Sequence, residues 1–100
     1  MTLEKKMFSN NNELYVKPST RIDVNSVAEL ENEVNSCIND IKYLTLDFAE
    51  VHYISSIGLR AIMAFQKKMS SKGEMKIINV NPEVMEIFKI TGFNNFLSII

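Results

Sequence analysis

Two adjacent serines are the side chains in this sequence best placed to do chemistry. Ser55 and Ser56 precede Ile57 and Gly58, where a β-prone run gives way to a helical one. In a parallel sheet such strand-to-helix junctions lie at the carboxyl ends of the strands, where α/β proteins usually bind ligands and partners. The amides of the first helical turn and the helix dipole favour negative charge, so this position is suited to a phosphate on or beside Ser56. Local composition alone favours the simpler interpretation that Ser55 or Ser56 only caps the helix.

Catalysis at these serines is a weaker interpretation. The run Ser56–Gly58 matches half of the nucleophile elbow of hydrolases, but Ile54 stands where the first glycine should be and the only histidine precedes the serine. Neither Asp47 nor Glu50 forms a convincing acid–base pair at this spacing. No glycine-rich phosphate loop is present, so no motif predicts a nucleotide cofactor. We therefore expect a binding module and not an enzyme, with no catalytic residues and no cofactor.

Composition and charge limit the partners. The 100 residues carry 11 basic and 12 acidic side chains, and this balance provides no clustered basic surface for nucleic acid or an anionic membrane. One cysteine, Cys37, forms no internal disulfide, and with the single His52 it does not complete a zinc site. No apolar run approaches the roughly 18 to 20 residues of a spanning helix, and residues 1–6 lack the apolar core of a signal peptide. We expect a cytoplasmic protein that binds no metal, nucleic acid or membrane.

The N-terminal part of the chain is predicted to form a hairpin. The polar patch Ser9–Asn12 separates Leu3–Phe8 from the alternating segment Leu14–Lys17, which favours two short strands joined by a turn. Pro18–Thr20 is expected to interrupt the second strand, because proline removes a donor from the ladder. Arg21–Asp23 would then be an exposed connector.

A helix follows this connector. It is predicted to start at Ser26, with Glu29 completing a capping box, or at Asp23. The apolar stripe that defines it consists of Val27, Leu30, Val34, Cys37 or Ile38, and Ile41.

The rest of the sequence alternates between strands and helices. Gly73 is predicted to end the helix that contains Leu59–Met69, and Asn81 followed by Pro82 predicts the start of another helix, which ends at Gly92. Strand, helix, strand, helix in this order implies right-handed crossovers and a largely parallel sheet, hence an α/β fold. The predicted strands are Tyr43–Phe48, a brief strand end at Val51–Ile54, Met75–Val80, and Phe96–Ile100 as a final strand or a tail packed on the core.

The segment Leu46–Arg60, which contains both serines, is the most informative part of the sequence. Together with the segments Ile22–Asp23, Gly73–Ile77, Asn81–Val84 and Ile90–Phe93, in that order, it resembles the STAS domain of bacterial anti-sigma factor antagonists. The similarity covers roughly residues 12–100. It implies one STAS domain over residues 1–100, with a mixed, mostly parallel sheet and helices packed against it.

The resemblance also implies a partner and a switch. In this family an anti-sigma factor that is also a serine/threonine kinase phosphorylates the serine at the position of Ser56. The unphosphorylated antagonist captures that kinase and frees the sigma factor. The alternative is a stand-alone STAS scaffold in a signalling or transporter-regulating complex, without a phosphorylation cycle. By this resemblance the partner-binding residues are Asp23, Ser55, Ser56, Ile57, Gly58, Leu59 and Arg60.

Three positions depart from the family pattern. Ser55 stands where many members have aspartate, and Thr20 replaces a glycine three positions before Asp23. Ile57 replaces a smaller residue, so it would expose an apolar side chain beside Ser56 unless it turns into the core.

Phosphorylation would act on docking through charge. It adds about 1.5 to 2 negative charges and a water shell that docking must remove. Asp23 and Glu50 would add repulsion if they converge on the site. Arg60, one helical turn beyond Ser56, either pairs with the phosphate or is a solvated surface residue.

Overall fold

A five-stranded mixed sheet forms the centre of the molecule in a computed structural model, which describes residues 3–100. The sheet order is β1-β2-β3-β5, and β4 pairs with β2. The β1–β2 pair is antiparallel and the other pairs are parallel, so the predicted α/β fold with a mixed, mostly parallel sheet is confirmed. The elements are β1 Leu3–Phe8, β2 Glu13–Ile22, α1 Val27–Asn35, a 3-10 turn Ile38–Asp40, β3 Tyr43–Asp47, β4 Glu50–Ile54, α2 Ser56–Ser70, β5 Glu74–Ile78, α3 Pro82–Thr91 and a 3-10 turn Phe93–Asn95.

One face of the sheet is buried beneath helices. Helix α2 packs on β5, α1 packs on β2 and α2, and α3 packs on β4. Phe48, just after β3, stacks on Phe88 of α3 with ring centroids 6.2 Å apart. Each fully buried side chain of this kind contributes about 1.5 to 3 kcal/mol through the hydrophobic effect. The strand residues in this core include Leu14, Val16, Leu44, Leu46, Met75 and Ile77.

Strand β2 is longer than predicted. It continues through Pro18 to Ile22, so the prediction of an interruption at Pro18–Thr20 and of an exposed connector from Arg21 was wrong. The reason is that β2 changes neighbour at this point: Val16 is the last residue paired with β3, and Ser19 is the first paired with β4. Pro18 lies in the gap between the two parallel ladders, where a missing N–H costs no ladder hydrogen bond on that side.

Helix α1 starts where predicted, but its first turn differs. Ser26 is the N-cap residue, yet its side chain makes no cap hydrogen bond. Ser26 Oγ instead accepts from Asp23 N at 3.0 Å and donates to Arg21 O at 2.7 Å, so the predicted capping box was wrong. The helix ends at Asn35, and the 3-10 turn buries Ile38.

The glycines after α2 and α3 do different things. Gly92 ends α3 in the left-handed conformation, with φ 78°, as predicted. Helix α2 already ends at Ser70, and Gly73 is absent from the positive-φ residues, so the prediction of a helix-ending glycine was wrong there. A Cβ on Gly73 would lie only 1.8 Å from Lys42 O. Glycine is therefore needed because two backbone segments meet at this point. Beyond α3, Leu97 is buried, and Ile99 forms a single parallel bridge to Ile77.

A buried carboxylate at the end of β3 ties two strands and two loops together. Tyr15 Oη of β2 donates to Asp47 Oδ2, while Asp47 Oδ1 accepts from Ala49 N at 3.0 Å and from Asn79 Nδ2 at 3.1 Å. Burial opposes ionisation of Asp47, but these hydrogen bonds outweigh it and lower its pKa. Burial, together with the bond to Asp47, raises the pKa of Tyr15 to about 12.

Asp47→Asn should therefore destabilise the fold in a pH-dependent way. At pH 7 we expect a loss of about 1.5 to 3 kcal/mol, because hydrogen bonds to a charged acceptor are replaced by weaker ones. Since the folded pKa of Asp47 lies below its ordinary value of 3.8, the stability from its charge is present above 3.8 and lost as the pH falls through the folded value. Urea unfolding of both proteins at pH 7 and at points below 3.8 should show the difference narrowing towards acid. A difference that does not change with pH would contradict this.

Candidate partner-binding site

A backbone hydrogen bond joins the carboxyl end of β2 to the start of α2. Ser55 N donates to Ile22 O at 2.9 Å, which places Asp23 beside the first turn of α2. A Cβ on Gly58 would lie 2.8 Å from both Ile22 O and Ile54 Cγ1, closer than real Cβ atoms approach. Gly58 therefore allows α2 to lie directly against the end of β2. The end of β2 and the first turn of α2, which are far apart in the sequence, therefore form one surface.

The two serines have different environments. Ser55 is the N-cap of α2, half-buried, and its Oγ accepts from Gly58 N at 3.4 Å. Ser56 is the first residue of α2 and is exposed. Within residues 3–100 no hydrogen bond engages its hydroxyl. The capping interpretation is therefore correct for Ser55, while the oxygen of Ser56 remains accessible to another molecule.

Three apolar side chains are exposed on and around the two segments. Ile57 is 38% exposed and does not turn into the core, Val24 is 69% exposed, and Tyr53 is 38% exposed. Leu59, in contrast, is only 5% exposed and packs in the core, so it offers little surface to a partner. Gly58 is buried as well, and its contribution is to position the helix.

Hydrogen bonds from neighbouring residues hold the carboxylate of Asp23 at the corner between β2 and α1. Asp23 Oδ1 accepts from Asn25 N at 3.0 Å and from Ser26 Oγ at 3.4 Å, and Oδ2 accepts from Arg21 Nε at 3.3 Å. The backbone bond from Asn25, followed by the bond and charge of Arg21, lowers the pKa of Asp23. Only 21% of the side chain is exposed. Asp23 therefore closes the turn between β2 and α1 and presents a small part of its surface to solvent.

A β-bulge positions the residues before this corner. Thr20 has a positive φ of 61°, and the β2–β4 register shifts between Thr20 and Arg21. Thr20 pairs with Val51, but Arg21 pairs with Tyr53, so His52 is left over. The shift lets β2 and β4 both turn an isoleucine into the core at their ends. Bulges often re-aim side chains in this way next to functional sites.

Relief of the strain at this bulge gives a stability prediction. Thr20→Gly should stabilise the protein by about 0.5 to 1 kcal/mol, because a β-branched residue at positive φ costs roughly 1 to 2 kcal/mol and the added flexibility of glycine offsets part of that. Thermal unfolding measures the gain. Thr20→Ala keeps a Cβ at the same φ and should gain little. A lower melting temperature for the glycine variant would contradict the assignment of strain.

Arg21 and Tyr53 form a contact that sequence reasoning missed. The Arg21 Cζ lies 4.3 Å from the centroid of the Tyr53 ring, a cation–π geometry. Alternation around the inward-facing Ile22 and Ile54 indicates that both side chains point outward. Their pairing depends on the bulge, which no local sequence signal predicts.

The other charged residues near the site do not converge on Ser56. Glu50 begins β4, about 13 Å of strand away from its end, and pairs with Lys17 at 3.5 Å, so it does not converge with Asp23 on the site. Arg60 is exposed on α2, one turn after Ser56. Its Nη and Nε atoms form no salt bridge among the described residues.

The only histidine of the sequence does not lie beside the two serines. His52 is exposed on β4, and its Nδ1 lies 3.2 Å from Glu83 Oε1 of α3, not beside either serine. Among residues 3–100 no group of three His, Cys, Asp or Glu side chains is arranged to hold a metal ion. None of the helices in the same range is long and apolar enough to cross a membrane.

Comparison with known families establishes the relationship. The family model described as the STAS domain matches residues 5–100. The chain belongs to the STAS domain family. This STAS domain has a fold shared with anti-sigma factor antagonists of known structure. A Thermotoga maritima protein named as a candidate anti-sigma factor antagonist superposes with a TM-score of 0.87 at 18% identity, over 97% of this chain and 84% of that chain.

The two states of SpoIIAA share the fold as well. The anti-sigma factor antagonist SpoIIAA in its unphosphorylated form superposes with a TM-score of 0.83 at 13% identity, over 99% of this chain and 88% of that chain. The phosphorylated form of the Bacillus cell fate determinant SpoIIAA gives 0.76 at 12% identity, over 99% and 91%. At these identities the likeness is one of fold.

A sequence relative has a name like those of the structural neighbours. BtrV of Bordetella bronchiseptica, named as a candidate anti-sigma factor antagonist, is 37% identical over 51 residues. The match covers 50% of this STAS domain and 44% of BtrV, so the chain spans less than half the length of that relative.

Proposed function

We propose that this STAS domain is an anti-sigma factor antagonist that binds an anti-sigma factor serine/threonine kinase and is released when Ser56 is phosphorylated. The observation that carries the proposal is the position of Ser56, exposed at the first residue of α2. The hydroxyl is accessible to an incoming kinase. The family membership and the names of the relatives support the same function.

The surroundings of Ser56 support docking of a protein in the unmodified state. The neutral hydroxyl of Ser56 loses little free energy on desolvation, and exposed Ile57 and Val24 provide apolar surface for a partner. A phosphate would be stable in the free protein, since it would lie at the N-terminal end of a 15-residue helix. Docking would have to remove water from that charge, so modification favours the dissociated form.

Mass spectrometry after incubation with an anti-sigma factor kinase of the same organism and ATP tests the modification. We expect one phosphate, located on Ser56, and none on Ser56→Ala. Ser55→Ala is the matched control, because Ser55 is half-buried and caps the helix; this variant should still be phosphorylated.

Two results would overturn the phosphorylation cycle. A phosphate on a different residue, with Ser56 unmodified, would place the switch elsewhere. A chain that binds the kinase tightly but remains unmodified would instead support the scaffold alternative.

A further inference from the structure

Arg21 is the most exposed charged side chain at the end of β2 and lies outside the residues assigned to the proposed site. It is 60% exposed and lies between the ring of Tyr53 and the Asp23 corner. We propose that Arg21, held on Tyr53, is a preformed receptor for a carboxylate of the protein partner. This inference rests on the proposed function, because it assigns a contact within the same docking surface.

The guanidinium is held in place but not saturated. Its Nε donates to Asp23 Oδ2 at 3.3 Å, and its Cζ lies over the Tyr53 ring at 4.3 Å. Within the part of the chain that the structure describes, its two Nη groups donate to no acceptor. A guanidinium has five N–H donors in a planar fork that matches a carboxylate in bidentate geometry. The outward edge of Arg21 is therefore ready to bind one.

Asp23 does not occupy all the N–H donors of the Arg21 guanidinium. The carboxylate of Asp23 already accepts from Asn25 N and Ser26 Oγ in addition to Arg21 Nε. Its charge is directed into the corner and only 21% of the side chain is exposed. Arg21 is therefore the more exposed of the two charges at this edge of the surface, and a partner residue that docks against it should be acidic.

The bulge indicates that this arrangement is specifically built. Without the register shift at Thr20, Arg21 would face His52, and the ring of Tyr53 would not lie opposite it. The shift is achieved with a threonine at a φ of 61°, a strained conformation of the kind that clusters at functional sites. Exposed Val24 beside Asp23 adds an apolar neighbour, and Arg and Tyr are among the residues enriched in interface hot spots.

The predicted partner feature is thus an Asp or Glu side chain that reaches Arg21 while neighbouring apolar residues cover Val24. Holding Arg21 on Tyr53 lowers the entropy lost when the carboxylate binds. Replacement by lysine would keep the charge but lose both the fork and the stacking.

Affinity measurements with the purified anti-sigma factor kinase test this contact. For Arg21→Gln we expect binding weaker by about tenfold or more and a smaller salt dependence, because one ion pair is lost. Arg21→Lys should be weaker than the native protein, Tyr53→Phe should bind like it, and Tyr53→Leu should weaken binding. The effects of Tyr53→Leu and Arg21→Gln should be less than additive, since they disrupt one unit. Lys6→Gln, an exposed cation on β1, is the charge control and should bind normally.

The outcomes separate this inference from the function on which it rests. If the native protein binds and Arg21→Gln binds equally well, with the same salt dependence and only a lower melting temperature, Arg21 is merely structural and the inference fails. If the native protein neither binds the kinase nor becomes phosphorylated on Ser56, the proposed function fails and this inference fails with it.

Discussion

Gly73→Ala should destabilise this STAS domain by about 3 kcal/mol or more, the largest effect expected from one methyl group in this chain. The added Cβ would lie 1.8 Å from Lys42 O and 2.7 Å from Lys42 C, both backbone atoms that no side-chain rotation moves. Relief requires β5 to shift away from β3 at the point where Glu74 N donates to Lys42 O at 2.9 Å. Overpacking against a rigid neighbour typically costs about 1 to 3 kcal/mol and more when backbone must move. For a chain of this size, that loss lowers the melting temperature by roughly 12 °C or more.

Gly92→Ala provides the matched control for this prediction. Gly92 has a φ of 78°, and nothing lies within 4 Å of a Cβ built on it. Its replacement should cost only the backbone strain, about 1 kcal/mol. Chemical and thermal unfolding of the two variants therefore compares the stability lost to a steric clash at Gly73 with that lost to backbone strain at Gly92. Equal losses, or a smaller loss for Gly73→Ala, would show that β3 and β5 adjust without difficulty.

Ser56→Glu should weaken binding of the anti-sigma factor kinase by about 100-fold or more, while leaving the fold intact. The carboxylate would lie at the amino end of α2, where the helix dipole stabilises a negative charge by about 0.3 to 1 kcal/mol. The free protein is thus favoured, and docking would have to desolvate the charge. Calorimetric titration should show the loss of affinity, and thermal unfolding should show an unchanged or slightly raised melting temperature.

Two further variants isolate the effect of charge at this position. Ser56→Ala should bind within a few fold of the native protein, because a small neutral side chain remains at the surface. Ser9→Glu places the same charge in the exposed hairpin turn and should leave affinity unchanged. Tight binding by Ser56→Glu would contradict a docking surface that includes Ser56.

The elements of the fold were largely predictable, because the β-prone runs of β3 and β5 and the helical stripes are local signals. What sequence reasoning missed depends on tertiary pairing. Proline was expected to interrupt β2, but Pro18 falls where one parallel neighbour ends and the next begins. Gly73 was assigned to a helix end, although a close approach to Lys42 requires it. Both errors arise because a local rule was applied where a distant segment decides.

The candidate site shows the same division. The exposed Ser56 and the capping Ser55 follow from the residue order at a strand-to-helix junction. That Arg21 stacks on Tyr53 depends on how β4 lies against β2. The effect of the register shift at Thr20 on side-chain direction is visible only once the strands are paired.

The double pairing of β2 has a consequence for how the molecule opens. This strand is bonded to β1 along one side, and to β3 and then β4 along the other. Its amide protons should therefore exchange with solvent only when the whole sheet separates, and more slowly than those of β1 or β4. The segment that ends at Ile22 thus belongs to the strand that should open last. Its hydrogen bond to Ser55 should therefore keep the geometry beside Ser56 while β1 or β4 opens locally.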